Sequence, residues 1–241
     1  MILRLLSLLF CLGSSILVLA TTGCQNNYNL TAPSSATPTT SSSNCNLPSL
    51  PSTFVPGIYM YGFVDNGTQY GNNLSEALVY MTVNGGPYTT ATVILSGPGV
   101  SANVSYASSY TSGGITYSEY DFSQNSNLIP GDTYTLTVTT SSGTASGSVK
   151  LPPVPTVYTN GSGGNWTGPS MYNAAEVYGV TTSSVEFDQT SCASSGSIAI
   201  PSSAYPSSQN YVIYYTSDDY TTTISGGQGC MVGAAMNIIE I

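Results

Sequence analysis

The chain has 241 residues, of which two are Lys or Arg, none is His and eleven are Asp or Glu, for a formal charge of −9. Apart from Arg4 near the start, the one cation is Lys150, and this excludes nucleic-acid and phosphate binding, which need Lys and Arg to neutralise phosphate charge. Without histidine the chain lacks the usual base for a Ser or Cys nucleophile and the commonest zinc ligand, so no enzymatic activity, cofactor or metal is expected. The same composition bears on the solvent. An ordinary protein in strong acid keeps its basic charges and repels itself as its carboxylates neutralise. Here protonation leaves almost no net charge, so tolerance of an acidic medium is expected.

Residues 1–23 read as a secretory leader. Arg4 is a thin positive start, and the apolar stretch 5–20 is broken only by Ser7 and Gly13-Ser14-Ser15, too short and too closely followed by small polar residues for a membrane span. The run Leu19-Ala20-Thr21-Thr22-Gly23-Cys24 resembles a bacterial lipobox. That resemblance implies diacylation of Cys24, which becomes the N-terminus of an exported chain that meets membrane only through its lipid. Val18-Leu19-Ala20 also suits ordinary signal peptidase, so release from the cell is the alternative. Cys11 leaves with the leader, and Cys24, Cys45, Cys192 and Cys230 remain. Export favours disulfides over metal thiolates. With lipid on Cys24, a Cys192–Cys230 bridge leaves Cys45 odd; with Cys24 unmodified, a Cys24–Cys45 bridge becomes available as well.

Residues 24–53 are rich in Ser, Thr, Pro and Asn, carry no charge and have almost no large apolar residue before Leu47. Such a segment cannot bury a core and reads as a disordered tether.

From Phe54 the pattern is apolar alternating with Ser, Thr and Tyr at period two, with frequent turns, which predicts an all-β fold. Strands are expected at 57–63, 77–83, 89–95, 100–107, 115–122, 133–140 and 144–151. The turns between them are Asn66-Gly67, Asn84-Gly85-Gly86-Pro87, Gly97-Pro98-Gly99, Gly113-Gly114 and Pro130-Gly131-Asp132. In Thr133-Tyr134-Thr135-Leu136-Thr137-Val138-Thr139, Tyr, Leu and Val share one face and the threonines the other, as in a sheet with one face in a core. The segments Thr82-Val83-Asn84-Gly85-Gly86-Pro87 and Ala91-Thr92-Val93-Ile94-Leu95, with 128–138, are similar to transthyretin-like modules of the carboxypeptidase regulatory type. The Leu128-x-Pro130-Gly131-x-x-Tyr134-x-Leu136-x-Val138 run also resembles the corner before strand F of fibronectin type III and other immunoglobulin-like domains. Either resemblance implies a structural or binding β-sandwich over 54–151 with no chemistry of its own.

Leu151-Pro152-Pro153-Val154-Pro155 is a stiff break and marks the expected domain boundary. Residues 156–241 open on a Gly/Asn loop, 160–167, and then show strand patterns at 175–180, 184–187, 196–200, 210–216, 221–225 and 234–241. The stretch 200–206 leading into Tyr211-Val212-Ile213-Tyr214-Tyr215 looks like a second immunoglobulin-like corner. Tandem immunoglobulin-like antiparallel sandwiches are therefore expected, the second one smaller.

Few residues suggest chemistry. Glu119 and Asp121, two apart on one strand, share a face about 7 Å apart, a spacing that could flank a glycosidic bond or hold a cation, although solvated carboxylates on an outer face are the commoner arrangement. Asp218-Asp219 reads as a hairpin tip with weak calcium potential, and Glu186 and Asp188 repeat the two-residue spacing without a ligand cluster. Trp166, with Tyr158 and Tyr172, could form a sugar-stacking platform, against which stands a tryptophan buried in a sandwich. Together these features lead to an expected non-enzymatic cell-surface protein of structural or adhesive role, on an outer membrane by its lipid or else secreted. Its partners would be envelope or extracellular protein or polysaccharide. The alternatives are a carbohydrate-binding module and a self-assembling filament or matrix subunit, in which an edge strand or the apolar end 234–241 pairs with a neighbour.

Overall fold

A computed structural model describes residues 50–69, 72–124, 128–158, 161–167, 172–179, 184–191, 193, 195–204 and 211–240. The leader, Cys24 and nearly all of the expected tether lie outside them. The fold is all-β, as its alternating pattern predicts. Its strands are β1 (Ile58–Gln69), β2 (Asn72–Val83), β3 (Thr92–Gly97), β4 (Val100–Ser112), β5 (Ile115–Gln124), β6 (Thr133–Thr140), β7 (Gly143–Lys150), β8 (Thr156–Val157), β9 (Gly163–Thr167), β10 (Tyr172–Gly179), β11 (Ser184–Ser191), β12 (Ser195–Ala199), β13 (Tyr211–Thr221), β14 (Ile224–Ser225) and β15 (Gln228–Glu240). Twelve of them form one mixed sheet in the order β11-β10-β13-β15-β1-β2-β5-β4-β3-β6-β7-β14, and β12-β9-β8 form a second.

The large sheet curls so that β6 and β7 cross its own middle strands, β7 packing against β1, β13 and β15. Alternation decides what is enclosed. Met60, Val64, Val79 and Met81 from β1 and β2 meet Leu136, Val138 and Val149 from β6 and β7, and Met231 from β15 joins them. Further along the same face of the sheet, Ala175 and Val177 of β10 meet Trp166 and Ile198 of the small sheet. The sheet therefore has one inner face, covered at two places by two different layers.

Strands from both sides of the expected boundary share this sheet. β15 runs parallel to β1 from Tyr59↔Gln228 to Gln69↔Ile238 and antiparallel to β13, while β14 pairs with β7. The proline segment between the two halves is folded in with them: Leu151, Pro152 and Pro155 are buried, and the Asn237 side-chain amide donates to the Pro155 carbonyl at 3.1 Å. A stiff, apolar run can join two halves as readily as it can separate them, and here it lies against β15.

Three local expectations are corrected. Asn66-Gly67 is not a turn, because β1 passes straight through it, and glycine is needed there since a Cβ at Gly67 would stand 2.6 Å from the Met236 carbonyl oxygen. The expected loop 160–167 contains β9, whose alternation of Gly, Asn and Trp hides its inward side. Asp218-Asp219 lies inside β13, paired with Ala234 and Gly233, and the chain reverses instead near Gly226, whose φ of 71° suits a turn.

The corner at 128–134 is closed by its tyrosine. Tyr134 is fully buried; its hydroxyl accepts a hydrogen bond from the Ile129 amide at 2.7 Å and is 3.4 Å from the Pro98 carbonyl it donates to. Tyr134→Phe keeps the ring and strands the Ile129 amide, so it should lower the unfolding free energy by about 1–2 kcal/mol in a urea titration at fixed pH. An unchanged midpoint would mean that water replaces the hydroxyl without cost.

Candidate functional site

The other face of the large sheet gathers most of the ionisable chemistry. Residues opposite one another in a ladder share a face. Asp65 of β1 stands opposite Glu76 of β2 and opposite Ala234 of β15, and Ala234 in turn stands opposite Asp218 of β13. On β5, Asp121 pairs with Leu78 and Glu119 with Tyr80, two and four residues on from Glu76. Asp65, Glu76, Glu119, Asp121 and Asp218 thus lie on one face across four strands, as the alternation of each strand requires.

That face also carries a tyrosine cluster. Tyr59, Tyr61, Tyr80 and Tyr117 are buried there with Cys230 and Val232. Tyr59 and Tyr117 meet edge to face at a centroid distance of 6.3 Å, and Tyr80 tilts against Tyr110 at 5.3 Å. Leu50 joins the cluster with 5 % of its surface exposed, and the Tyr117 hydroxyl donates to the Pro51 carbonyl at 2.6 Å. Burial, with Tyr110 nearby, pushes the Tyr117 phenol up to about 12.

Asp65 and Asp218 are buried, Glu76 and Glu119 half-buried and Asp121 exposed, and none has a cationic partner nearby, Lys150 being the sole cation among the described residues and exposed at the end of β7. Asp65 is completely enclosed, and no group is placed to hydrogen-bond either carboxyl oxygen well, although the Asn66 amide is near enough to oppose its shift weakly. Burial raises its pKa well above the ordinary value, and the charges of Glu76 and then Asp218 add to this. Burial likewise raises Glu76, with Asp121 contributing, and pushes Asp218 to about 7. Glu119 is raised by burial and, less, by Asp121, while a 3.2 Å hydrogen bond from the Ser108 hydroxyl opposes the shift. Asp121 is raised by partial desolvation. On β11, Asp188 is pushed to about 6 by burial, and its Oδ1 has no partner. Asp219, on the opposite side of β13, accepts from the Tyr220 amide at 2.8 Å.

Of the expected site residues, Glu119 and Asp121 do share a face, as members of a longer carboxyl row that sequence spacing alone could not reveal, because Asp65, Glu76 and Asp218 reach it through ladders between distant segments. Among the described residues no three His, Cys, Asp or Glu side chains are grouped to hold a metal ion. Trp166 is not a platform: 6 % of it is exposed, and its indole N–H donates to the Ala193 carbonyl at 3.0 Å. Tyr158 is 40 % exposed. Tyr172 opens β10 opposite Asp218. Glu186 falls in the bulged stretch of β11. Cys24 and Cys192 lie outside the described residues, whereas Cys230 is buried in β15. The apolar stretch 234–241, one of the two segments that the filament alternative would pair with a neighbour, is used within the molecule over 234–238, which has β1 on one side and β13 on the other.

No protein-family model matches the chain, and no curated protein matches its sequence.

Carboxyls whose pKa is raised by desolvation set the sign of the pH dependence. A carboxyl whose folded pKa lies above its unfolded value stabilises the fold fully below about pH 4; that stability is lost as pH rises through the folded value. For Asp188 and Asp218 the loss runs from about pH 4 to about 6 and about 7. The protein should therefore melt at a higher temperature at pH 3.5 than at pH 8. Asp65→Asn should leave the melt at pH 3.5 nearly unchanged and raise the melting temperature at pH 8, read as a smaller gap between the two melting curves. A protein that melts higher at pH 8 would overturn this account.

Proposed function

We propose that this chain is a non-enzymatic, exported cell-surface protein with a structural or adhesive role, working in an acidic medium. The leader at 1–23 sends it out, lipid on Cys24 holds it at a membrane, and the Ser/Thr/Pro-rich tether at 24–53 carries two immunoglobulin-like sandwich halves that share one sheet. One observation supports the acidic setting most directly. Asp65 and Asp218 are enclosed on the strands either side of β15, with a half-buried Glu76 beside Asp65 and no cation near them, an arrangement that costs little when the enclosed carboxyls are protonated and several kcal/mol per group when they must ionise. In acid the surface also carries almost no charge, which suits close contact with envelope polymers or neighbouring proteins. The structural role draws on the absence of histidine from the whole sequence and on the continuous sheet, which leaves the two halves no hinge at the proline segment.

The intact mass of the mature protein from its native host tests the anchoring. A chain beginning at Cys24 with a diacylglycerol-sized addition is the expected result. An unlipidated chain beginning near Thr21 would mean release and would shift the role to a matrix component, and a chain retaining residues 1–20 would overturn export altogether.

A further inference from the structure

We propose that the exposed face of β4, β3, β6 and β7 binds an uncharged polysaccharide on a lattice of hydroxyl side chains, with Tyr106 at its rim. The strand registers set the lattice. Ser96 of β3 stands opposite Ser101 of β4 and Thr135 of β6, and Thr135 stands opposite Ser148 of β7. Two residues along, Ile94 lies between Asn103 and Thr137, and Thr137 is opposite Ser146. Two further along, Thr92 is opposite Thr139, which is opposite Thr144. The rows lie about 6.8 Å apart, with about 4.8 Å between neighbours in a row, and every position carries a hydroxyl except Asn103 and Ile94. Alternation turns Val93, Leu95, Leu136 and Val138 of the same strands into the core. Thr92, Ser101, Asn103, Thr139, Thr144 and Ser148 are therefore exposed, and the remaining positions half-buried.

The chemistry of the face selects its ligand. No ionisable side chain stands in the three rows; Lys150 and Asp121 enter only beyond them, opposite Thr133 and Ser105. A polyanion or a charged peptide would meet no counter-charge, and an apolar surface would leave the hydroxyls without partners. Sugar hydroxyls suit it, because like those of Ser and Thr they both donate and accept. The lattice is held in place sideways: Thr135 Oγ1 and Ser148 Oγ are 2.7 Å apart, Thr139 Oγ1 and Thr144 Oγ1 3.4 Å, and the Ser96 hydroxyl donates to the Thr135 carbonyl at 3.4 Å. A hydroxyl has one donor and two acceptor sites, so one lateral bond leaves it able to bond outward. Tyr106 supplies the apolar contact. By alternation from Val104 it belongs to the enclosed side, yet a bulge follows it and 43 % of it is exposed, which puts the ring at the rim beside the Thr92 row. Its edge-to-face contact with Tyr120 at 5.7 Å and the 3.1 Å pair of its hydroxyl with that of Ser109 orient the ring, and its exposed part offers aromatic area on which a pyranose stacks. Single hydroxyl bonds at a surface are weak, so the face retains a polymer that spans several rows and not a free sugar. The inference deepens the adhesive reading and rests on export, which brings the face to extracellular polysaccharide.

The test is retention of the full chain from its native host on insoluble cellulose, chitin and mannan, with alginate as the acidic comparison. The expected result is retention on at least one neutral polymer, equal at low and high salt because no charge takes part. It should fall several-fold in Thr137→Glu, at the centre of the lattice, and in Tyr106→Ala, with melting curves that match the parent. Ser148→Glu, at a fully exposed position, gives the same reading should Thr137→Glu fail to fold. Retention on none of the neutral polymers, on alginate alone, or unchanged by these substitutions overturns the proposal. The N-terminus of the same preparation is read alongside. A processed chain that no neutral polymer retains sinks the lattice and leaves export standing, whereas an unprocessed chain that one of them retains keeps the lattice and counts against export.

Discussion

The parallel ladder between β1 and β15 is the constraint on which the rest of the molecule depends. It is the one parallel pairing among the described strands, and it joins the first strand of the fold to the last, across nearly the whole described sequence. Parallel neighbours need a long crossover, and here the crossover is the body of the protein. Because β15 also pairs with β13, it couples the strands before the proline segment to β13, β10 and β11 after it, making them one sheet. The contact is close. Gly229, at a φ of 132°, leaves no room for a side chain against the Met60 carbonyl, and Gly233 lies similarly near the Lys150 carbonyl, 2.9 Å from where a Cβ would stand.

The same strand assembles the outer face. Ala234 is the small residue between Asp65 and Asp218, and its lack of any polar group leaves the two carboxyls facing one another across it with nothing to neutralise either. Four residues earlier, Cys230 stands opposite Tyr61 inside the aromatic cluster. One strand therefore separates an apolar, tyrosine-rich end of the face from a carboxyl-rich end. The charge composition and the fold act together here: a chain with one described cation has no means of pairing buried carboxylates, so burying them is favourable only where they carry a proton.

Much of the local structure could be read from the sequence. The strand expected at 133–140 coincides with β6, because its alternation is strict and a glycine turn precedes it, and the expected strands on either side of it in the sheet, 89–95 and 144–151, overlap β3 and β7. Two kinds of feature were not legible. Strand ends such as those of β1 and β13 extend through residues with turn propensity, Asn66-Gly67 and Asp218-Asp219, because pairing with β15 on the adjacent ladder outweighs the local preference. The site was hidden for a different reason. Glu119 and Asp121 are visible as a pair because they are two residues apart, whereas Asp65, Glu76 and Asp218 are brought together by registers between strands far apart in sequence, and no spacing rule encodes those registers. The signal that was available was compositional: too many acids for the number of bases, which implies that some acid must sit without a partner.

Trp166 shows how a plausible functional residue becomes structural once its surroundings are known. A lone tryptophan in a run of Gly and Asn suggests an exposed ring, yet the same glycines let strands approach closely. Gly196 faces it from β12, where a Cβ would stand 2.7 Å from the indole ring, and the ring fills the space that the missing side chain leaves while its N–H finds the Ala193 carbonyl. Glycine near an aromatic is thus as much a sign of a ring packed against backbone as of an open loop, and the two are separated only by whether the glycine belongs to a strand. In this chain it does, so the tryptophan fills the space between the small sheet and β10 rather than opening to solvent.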